Sequence, residues 1–481
     1  MSSTDQPDLI IRNARVIDGA GGPSFSGDVA VKGERIAGLG DLSGATAGQE
    51  IDAAGRALAP GFIDVHTHDD RAVLSDPKMT CKVSQGVTTV VTGNCGISLA
   101  PLKLAGAPPP PLDLLSKSPE GYFSDFGDYL QALDDEPAAV NVVAQVGHST
   151  LRAGVMDRFD RAASKDEIRR MRNSLEAALA VGAAGLSTGL FYQPAIDAPT
   201  EEIIELAKCL KAYGAIHTTH MRDETDHIDR SIDETLRIGR EAGVAVVISH
   251  HKCAGAANHG RSVETLAMID AAMSQQALGL DAYPYVAGST VLDAERMMGA
   301  SRTIVTWSEP HPEYSGRDLS DVAAEMGCDM RQAAERLSPA GAIYFMMDEA
   351  DVQRILAYRH TMIGSDGLPH DVHPHPRLWG TFPRVLGHYA RDIGLFSLEE
   401  AVRKMTSLSA ARFGLTDRGV LRQGAFADLV LFDPDKVIDT ATFDQPVQAA
   451  AGIDMVMVNG RMVWRDGSHT GARPGQALRT N

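Results

Sequence analysis

Hydrophobic residues in the middle of the chain form eight short runs, separated by segments with the period of an amphipathic helix. The runs are nearly continuous in hydrophobicity and rich in β-branched residues, which is typical of strands covered on both faces. Strands that alternate with helices predict parallel βαβ units, and eight such units predict an α/β fold with a (β/α)8 TIM barrel. The predicted strands span residues 62–68, 88–96, 141–149, 185–192, 216–222, 245–252, 278–285 and 361–367.

The two ends of the chain have a different pattern. Polar and apolar residues alternate there, with turn signals such as Asp18-Gly19 and Asn459-Gly460. This pattern indicates short strands joined by tight turns. We therefore expect a small β-sandwich domain built from both chain termini, residues 1–60 and 415–481, which flanks a TIM-barrel domain at residues 61–414.

Two segments depart from the barrel pattern. The connection between the seventh and eighth predicted strands is much longer than a βα loop needs, and it contains a helical pattern at about residues 319–337. We expect an inserted segment at about residues 286–345 that covers the mouth of the barrel. The proline-rich residues 108–111 predict an exposed loop after the second strand.

Charge and cysteine content limit the possible partners. The chain carries 63 acidic and 45 basic side chains, and its formal net charge is -18. The chain lacks the positive field that nucleic acids and anionic membranes require. We therefore expect a small-molecule partner. The sequence gives no sign of a protein partner. The five cysteines have no paired spacing, and residues 1–5 contain no basic segment and precede no apolar stretch. This predicts a cytoplasmic protein without a signal peptide.

Side chains that bind metals stand at the ends of five predicted strands. His66 and His68 are two residues apart, so on a strand they would point to the same side. Imidazole, thiolate and carboxylate are the ligands that zinc prefers, and the carboxyl ends of barrel strands share one mouth. The sequence therefore predicts one or two Zn2+ ions there. The other candidate ligands are Cys95, His220, His250 and Asp366.

The segments around these residues resemble the metal-dependent amidohydrolase superfamily, and within it the D-aminoacylase branch, the N-acyl-D-amino-acid deacylases. Residues 60–70 and 85–96 carry the resemblance, as do the surroundings of the later ligands and residues 424–433. Its most specific part is Gly93-Asn94-Cys95-Gly96. Related hydantoinases use a carboxylated lysine as a bridging ligand. Here no lysine ends a central strand ahead of His220, and Cys95 is the natural replacement, as the deacylase branch also implies.

The resemblance implies that the ligands divide into two sets. Cys95, His220 and His250 would form a tight zinc site, while His66, His68 and Asp366 would form a weaker one. The implied reaction is zinc-dependent hydrolysis of an N-acyl-D-amino acid to a carboxylate and a free D-amino acid, by a metal-activated water. We expect Asp366 to act as general base and then to protonate the leaving amine. Preference for the D configuration rests on the resemblance alone.

The carboxylate of such a substrate requires a cation, because the protein as a whole is strongly negative. Arg377 is the best candidate, since a guanidinium matches a carboxylate with two hydrogen bonds. Arg222 is the other candidate for binding the substrate carboxylate. Its position also fits a structural salt bridge with Asp223 or Glu224.

Further side chains near the strand ends are candidate substrate contacts, although each is as consistent with core packing. The candidates for polar contacts are Tyr192, Tyr283 and Ser289. The candidates for an apolar side-chain pocket are Phe191, Met298, Tyr344 and Met347. Three more residues are candidates either for hydrogen bonds that support the metal ligands or for packing: Asp69, His148 and His251.

Three alternative functions remain open. A cyclic-amide hydrolase of the hydantoinase or dihydropyrimidinase type is disfavoured by the missing bridging lysine. An N-acyl-D-glutamate or N-acyl-D-aspartate deacylase would differ only in the substrate side chain, and Met298 and Met347 favour an apolar one. An inactive barrel that serves as a scaffold is disfavoured because all six ligand positions are filled.

Overall fold

The N-terminal strands of the chain pair around the first of them. In a computed structural model, which describes residues 6–480, β1 pairs antiparallel with β2 and parallel with β4 and β5. Residues 1–5, where the absence of a signal peptide is predicted, lie outside the described residues, as does Asn481. The five strands are β1 (Leu9–Val16), β2 (Phe25–Lys32), β3 (Arg35–Gly40), β4 (Gln49–Asp52) and β5 (Ala57–Pro60).

The strands that follow pair with one another in parallel, and each overlaps one of the predicted runs. A three-stranded sheet has the order β6-β7-β8, and β9 to β13 follow one another in a second sheet. β8 and β9 are two pieces of one predicted strand, interrupted at Gln145. The strands are β6 (Phe62–Asp64), β7 (Val87–Thr92), β8 (Asn141–Ala144), β9 (Val146–Gly147), β10 (Gly185–Gly189), β11 (Ile216–His220), β12 (Val246–Ile248) and β13 (Leu278–Ala282).

Amphipathic helices connect these strands and pack their apolar sides in the largest hydrophobic core. A capping box begins α5, because Ser164 Oγ accepts from Glu167 N and Glu167 Oε2 accepts from Ser164 N at 2.7 Å. Among the described residues no helix has the length and apolar character that crossing a bilayer requires. The helices are α1 (Ala72–Ser75), α2 (Thr80–Val83), α3 (Phe126–Asp135), α4 (His148–Val155), α5 (Lys165–Ala180), α6 (Thr200–Ala207), α7 (Ile228–Ala242) and α8 (Ser262–Met273).

The long connection before the last parallel strand folds into a small antiparallel sheet with the order β14-β16-β15. The sequence analysis predicted a helix in this segment and no strands. The structure contains three strands that were not predicted, and the predicted helix is divided into two. The segment has a hydrophobic core of its own. Its elements are β14 (Ala287–Val291), α9 (Ala294–Met298), β15 (Thr303–Ser308), α10 (Leu319–Glu325), α11 (Met330–Leu337) and β16 (Ala340–Phe345).

The C-terminal part adds the last parallel strand, β17, beside β13, and then returns to the N-terminal strands. β18 pairs antiparallel with β5, so both chain ends share one nine-stranded sheet. Eight of its strands follow the order β21-β20-β19-β18-β5-β1-β2-β3, and the ninth, β4, pairs with β1. A π-helical segment at Val385–Asp392 follows α13. The elements are α12 (Glu349–Ala357), β17 (Thr361–Ile363), α13 (Arg377–Arg384), α14 (Leu398–Met405), α15 (Ser407–Arg412), β18 (Leu429–Phe432), β19 (Ile453–Val458), β20 (Arg461–Arg465) and β21 (Ser468–His469).

The parallel strands are shorter than the sequence predicted. β6 ends at Asp64, two residues before His66, and β12 ends at Ile248, so the prediction that these histidines lie on strands is wrong. The prediction also placed His148 at a strand end, whereas it is the first residue of α4. Of the six candidate ligands, His220 alone lies within a strand. The others occupy the loops that leave the carboxyl ends of the strands.

Candidate active site

The six predicted metal ligands meet at the carboxyl ends of the parallel strands. Cys95 Sγ lies 3.2 Å from His66 Nε2 and 3.4 Å from His250 Nε2. Asp366 Oδ1 lies 3.5 Å from His66 Nε2 and 3.3 Å from His68 Nε2. The ring centroids of His220 and His250 are 4.5 Å apart.

These distances fit metal binding. Two donors on one tetrahedral zinc lie about 3.5 Å apart, given zinc–ligand bonds of about 2.0–2.3 Å. Donor atoms of His66, Cys95, His250 and Asp366 all lie within 4.8 Å of one another. His220 is buried, and neither of its ring nitrogens has a hydrogen-bond partner among residues 6–480. A buried imidazole without partners is costly, and a metal ion would satisfy it.

Three of the ligands have a left-handed backbone conformation. The φ angles are +51° at Cys95, +35° at His250 and +51° at Asp366. Residues other than glycine rarely adopt such angles, and they cluster at functional sites, where the surrounding structure maintains the strain. Each of these turns lies two or three residues after the end of its strand, at Thr92, Ile248 and Ile363.

Charge favours ionised ligands in this buried site. Burial disfavours the thiolate of Cys95, but the positive charges of His66 and His250 outweigh it and hold the pKa of the thiol well below its usual value. Burial likewise opposes ionisation of Asp366, yet the neighbouring Arg377 holds the pKa of this carboxyl well below its usual value. Both groups are therefore in the form that binds a cation.

Carboxylates orient two of the histidines from behind. His66 Nδ1 lies 3.3 Å from Asp281 Oδ1, and His250 Nδ1 lies 3.0 Å from Glu224 Oε1. Both rings turn Nε2 towards Cys95, and these carboxylates lie on the opposite side of each ring. Lys252 Nζ, 2.6 Å from Glu224 Oε1, balances the charge of that carboxylate.

A cavity opens beside the ligands, and most of the predicted substrate contacts line it. Arg377 is only 1% exposed; its Nη1 lies 2.8 Å from Asp366 Oδ2, and its guanidinium carbon lies 4.6 Å from the centroid of the Tyr283 ring. Pro111 and Leu114 also line the cavity. The prediction of an exposed proline loop is wrong for Pro108 and Pro111, which are buried, while Pro110 is exposed. The predicted contacts that line it are Arg377, Tyr192, Tyr283, Ser289, Tyr344 and Met347.

Two predicted pocket residues lie elsewhere. Phe191 and Met298 line a neighbouring cavity, and Met298 is 64% exposed. Arg222 also faces that second cavity, and its Nη2 lies 2.9 Å from Glu234 Oε1 rather than pairing with Asp223 or Glu224.

The three residues considered as supports for the ligands have different partners. His148 lies 3.0 Å from Glu202, and His251 lies 2.9 Å from Thr265 Oγ1, so neither touches a ligand side chain. Asp69, in contrast, contacts the buried Lys82, whose other partners flank the metal ligands.

The sequence reasoning missed four charged residues of the site, of which Asp281 lies behind His66. Glu224 follows His220 by four residues, and Lys252 follows His250 by two, which is a signal that spacing could have supplied. Arg296 lines both cavities and lies on α9, in the segment whose packing the sequence did not reveal.

The fold and the site have close counterparts among known proteins. The sequence model of the Amidohydrolase family matches residues 49–256 and 250–464. This chain belongs to the amidohydrolase family, which confirms the resemblance noted in its sequence.

Individual relatives extend over the full chain. The chain is 60% identical over 480 residues to a D-aminoacylase from Alcaligenes xylosoxydans xylosoxydans, which covers 99% of both chains. It is 57% identical over 475 residues to an N-acyl-D-aspartate deacylase from the same organism, covering 98% of this chain and 95% of the relative. An N-acyl-D-glutamate deacylase from Bordetella bronchiseptica, solved with zinc and a phosphonate mimic of the tetrahedral intermediate, is 48% identical with a TM-score of 0.96. That match covers 98% of this chain and 100% of the solved one.

Proposed function

We propose that this chain is a zinc-dependent deacylase that hydrolyses N-acyl-D-amino acids to a carboxylate and a free D-amino acid. The observation that carries the proposal is the set of buried donors around Cys95 and Asp366, which lies beside a cavity that contains a buried arginine. The deacylase activities of the relatives, over nearly the whole chain, support the same assignment.

The proposed architecture is one closed (β/α)8 barrel at residues 61–414 with an inserted segment at about 286–345. Closure between β17 and β6 is supported by the parallel bridge of Thr67 with Gly367 and by Asp366 N, which donates to His66 O at 2.8 Å. A β-sandwich from residues 1–60 and 415–481 is supported by a hydrophobic core to which both chain ends contribute.

Zinc is the proposed cofactor, held tightly by Cys95, His220 and His250 and more weakly by His66, His68 and Asp366. When bound, it would supply a Lewis acid that lowers the pKa of water and polarises the scissile carbonyl. The thiolate of Cys95 must stay reduced for this role, and the five cysteines are free. Both facts support a reducing compartment, the cytoplasm.

Asp366 is the proposed general base and acid. Its Oδ1 faces His66 and His68, and its Oδ2 faces Arg377. The carboxylate takes a proton from the attacking water at one oxygen and returns it to the nitrogen of the leaving amine. Arg377 keeps Asp366 ionised before that transfer, so the base is ready when the substrate binds.

Arg377 and Tyr283 are the proposed binding groups for the substrate carboxylate. The guanidinium is fixed from two sides, since Nη2 donates to Ser289 O at 3.2 Å and the plane of the group lies over the Tyr283 ring. The Tyr283 hydroxyl is buried and has no hydrogen-bond partner among the described residues. A carboxylate in the cavity would satisfy it.

A second candidate function, deacylation of N-acyl-D-glutamate or N-acyl-D-aspartate, is favoured by one observation. The guanidinium of Arg296 lines the cavity, lies 4.3 Å from the Phe191 ring centroid and has no ion-pair partner among residues 6–480. An unpaired cation at this position suits a second carboxylate on the substrate.

The experiment that tests the proposal is a set of rate measurements on the zinc-loaded enzyme. The substrates are the N-acetyl derivatives of D- and L-Met, Leu, Asp and Glu, with hydantoin and dihydrouracil for the cyclic-amide alternative. We expect hydrolysis of D substrates and loss of the activity after chelation. Turnover of the cyclic amides alone would contradict the proposal, and the ratio of acidic to apolar substrates decides between the two deacylases.

A further inference from the structure

One lysine is enclosed completely beneath the metal ligands. Lys82 on α2 is 0% exposed, and its Nζ lies 2.8 Å from Asp64 Oδ2, 2.9 Å from Ser365 Oγ and 3.2 Å from Asp69 Oδ2. An ammonium group has three donors, and here three oxygens surround it. Burial of a charged group is costly unless it is paired and hydrogen-bonded, and Lys82 meets this condition through Asp64, Ser365 and Asp69.

The three partners of Lys82 belong to the segments that carry one set of ligands. Asp64 stands two residues before His66, Asp69 stands next to His68, and Ser365 stands next to Asp366. One ammonium group therefore connects the segment of residues 64–69 with the segment of residues 365–366.

The same segments are also joined to one another. Asp64 Oδ1 accepts from Ser365 N at 2.8 Å and from His66 N at 3.4 Å. Asp366 N donates to His66 O at 2.8 Å. The segment after the last parallel strand is thus hydrogen-bonded to the segment after the first, next to the metal ligands. The Asp64 carboxylate, which pairs with Lys82, lies at this junction.

We propose that Lys82 is a positioning residue, which holds His66, His68 and Asp366 in the geometry that binds the weaker metal and aims Asp366 at the reacting water. This inference rests on the proposed function. The tight ligand His250 is supported by other groups, because its Nδ1 faces Glu224 and Lys252. Loss of Lys82 should therefore damage one metal position and spare the other.

The expected effects of Lys82→Met follow from this division. Removal of a group that orients a metal ligand lowers metal affinity by about 10–100-fold, and here the loss falls on the second zinc. Displacement of the general base Asp366 by about 1 Å should lower kcat by about 100-fold. KM changes little, because Arg377 and Tyr283 lie on the other side of Asp366 and keep the substrate carboxylate.

Lys404 provides a matched control. It is also 0% exposed, and its Nζ lies 2.5 Å from Tyr358 O and 3.7 Å from Glu400 Oε1, away from the ligands. Lys404→Met removes a buried ammonium group and should lower thermal stability without changing zinc affinity or kcat. Ser365→Ala is a milder test of the same site. It removes one acceptor of Lys82 and the hydroxyl contacts with Gly367 N and His66 O, and it leaves both carboxylates in place.

The experiment measures bound zinc per chain against graded free zinc, together with kcat, KM and thermal unfolding, for the wild type and the three variants. We expect Lys82→Met and Ser365→Ala to keep the first zinc, to bind the second more weakly and to lose kcat at similar KM. Wild-type affinity for the second zinc in Ser365→Ala, or equal losses in Lys404→Met, would overturn the inference. If Lys82→Met does not fold, Ser365→Ala decides. Zinc binding is measured without substrate, so an inactive wild type would refute the proposed function and still leave this inference tested.

Discussion

At the scale of single residues, Arg377 connects substrate binding with catalysis. Its guanidinium contacts Asp366 on one side and lies over the Tyr283 ring on the other. The sequence had suggested a role in substrate binding only. The structure buries the side chain against the proposed base, so its loss should affect both steps of the reaction.

For Arg377→Ala we expect KM to rise and kcat to fall together. The substrate loses its guanidinium partner, and Asp366 loses the cation that keeps its pKa low. Arg377→Lys is the matched variant, since it keeps the charge and loses the two-pronged geometry. It should recover kcat more than KM. A variant Arg377→Ala with unchanged kcat would show that the contact with Asp366 has no part in catalysis.

Asp366→Ala separates metal binding from proton transfer. The ligands Cys95, His220 and His250 do not include this carboxylate, so the tight zinc should remain bound. Turnover should fall by about 100-fold or more, because the general base is lost. Zinc content after gel filtration and kcat on N-acetyl-D-methionine measure the two effects. Near wild-type kcat would refute the role of Asp366.

At the scale of elements, the strands were predictable and their ends were not. β7 is β-branched throughout, because both faces of such a strand are covered, and this composition is visible in the sequence. The left-handed φ angles of Cys95 and His250 are not visible, since most cysteines and histidines have negative φ angles. Long-range contacts impose these angles, so the exact arrangement of the ligands required the structure.

The inserted segment was predictable as an insertion and not as a sheet. β14 has the sequence Ala-Gly-Ser-Thr-Val, which shows no hydrophobic alternation. Four of its five residues are half-buried. Its partner β16 is fully buried except at its end. Because pairing between the two defines the sheet, the strands could not be recognised separately. The placement of Arg296 at the cavity depended on this packing.

The segment that contains α9 should determine which substrate side chain is preferred. For Arg296→Met we expect kcat/KM for N-acetyl-D-glutamate to fall about 10–100-fold relative to N-acetyl-D-methionine, which corresponds to loss of one charge-assisted hydrogen bond. Arg302→Met, which removes an ion pair with Asp318 elsewhere in the segment, is the control and should leave the ratio unchanged. An unchanged ratio in Arg296→Met would exclude Arg296 from side-chain recognition.

At the scale of the whole molecule, the zinc ligands come from distant parts of the sequence. His66 and Asp366 are 300 positions apart, yet Asp366 N donates to His66 O. A metal that binds only the folded chain stabilises it in proportion to the logarithm of its concentration over Kd. Zinc should therefore stabilise the whole chain and not the site alone.

We expect chelation to lower the midpoint of thermal unfolding and zinc to restore it. At a free zinc concentration of 100 times Kd the stabilisation is about 2.7 kcal/mol. Cys95→Ser is the reference, because a variant that lacks the thiolate should show a much smaller dependence on zinc. Equal midpoints for the zinc-loaded and chelated wild type would contradict the proposed metal site.

The most direct test of the central claim is a zinc titration of the metal-free enzyme, followed by the initial rate of N-acetyl-D-methionine hydrolysis. The account predicts no turnover without zinc, a rise in rate as the tight site formed by Cys95, His220 and His250 fills, and no such rise with the L enantiomer. A hydrolysis rate that is independent of zinc, or equal for both enantiomers, would contradict it.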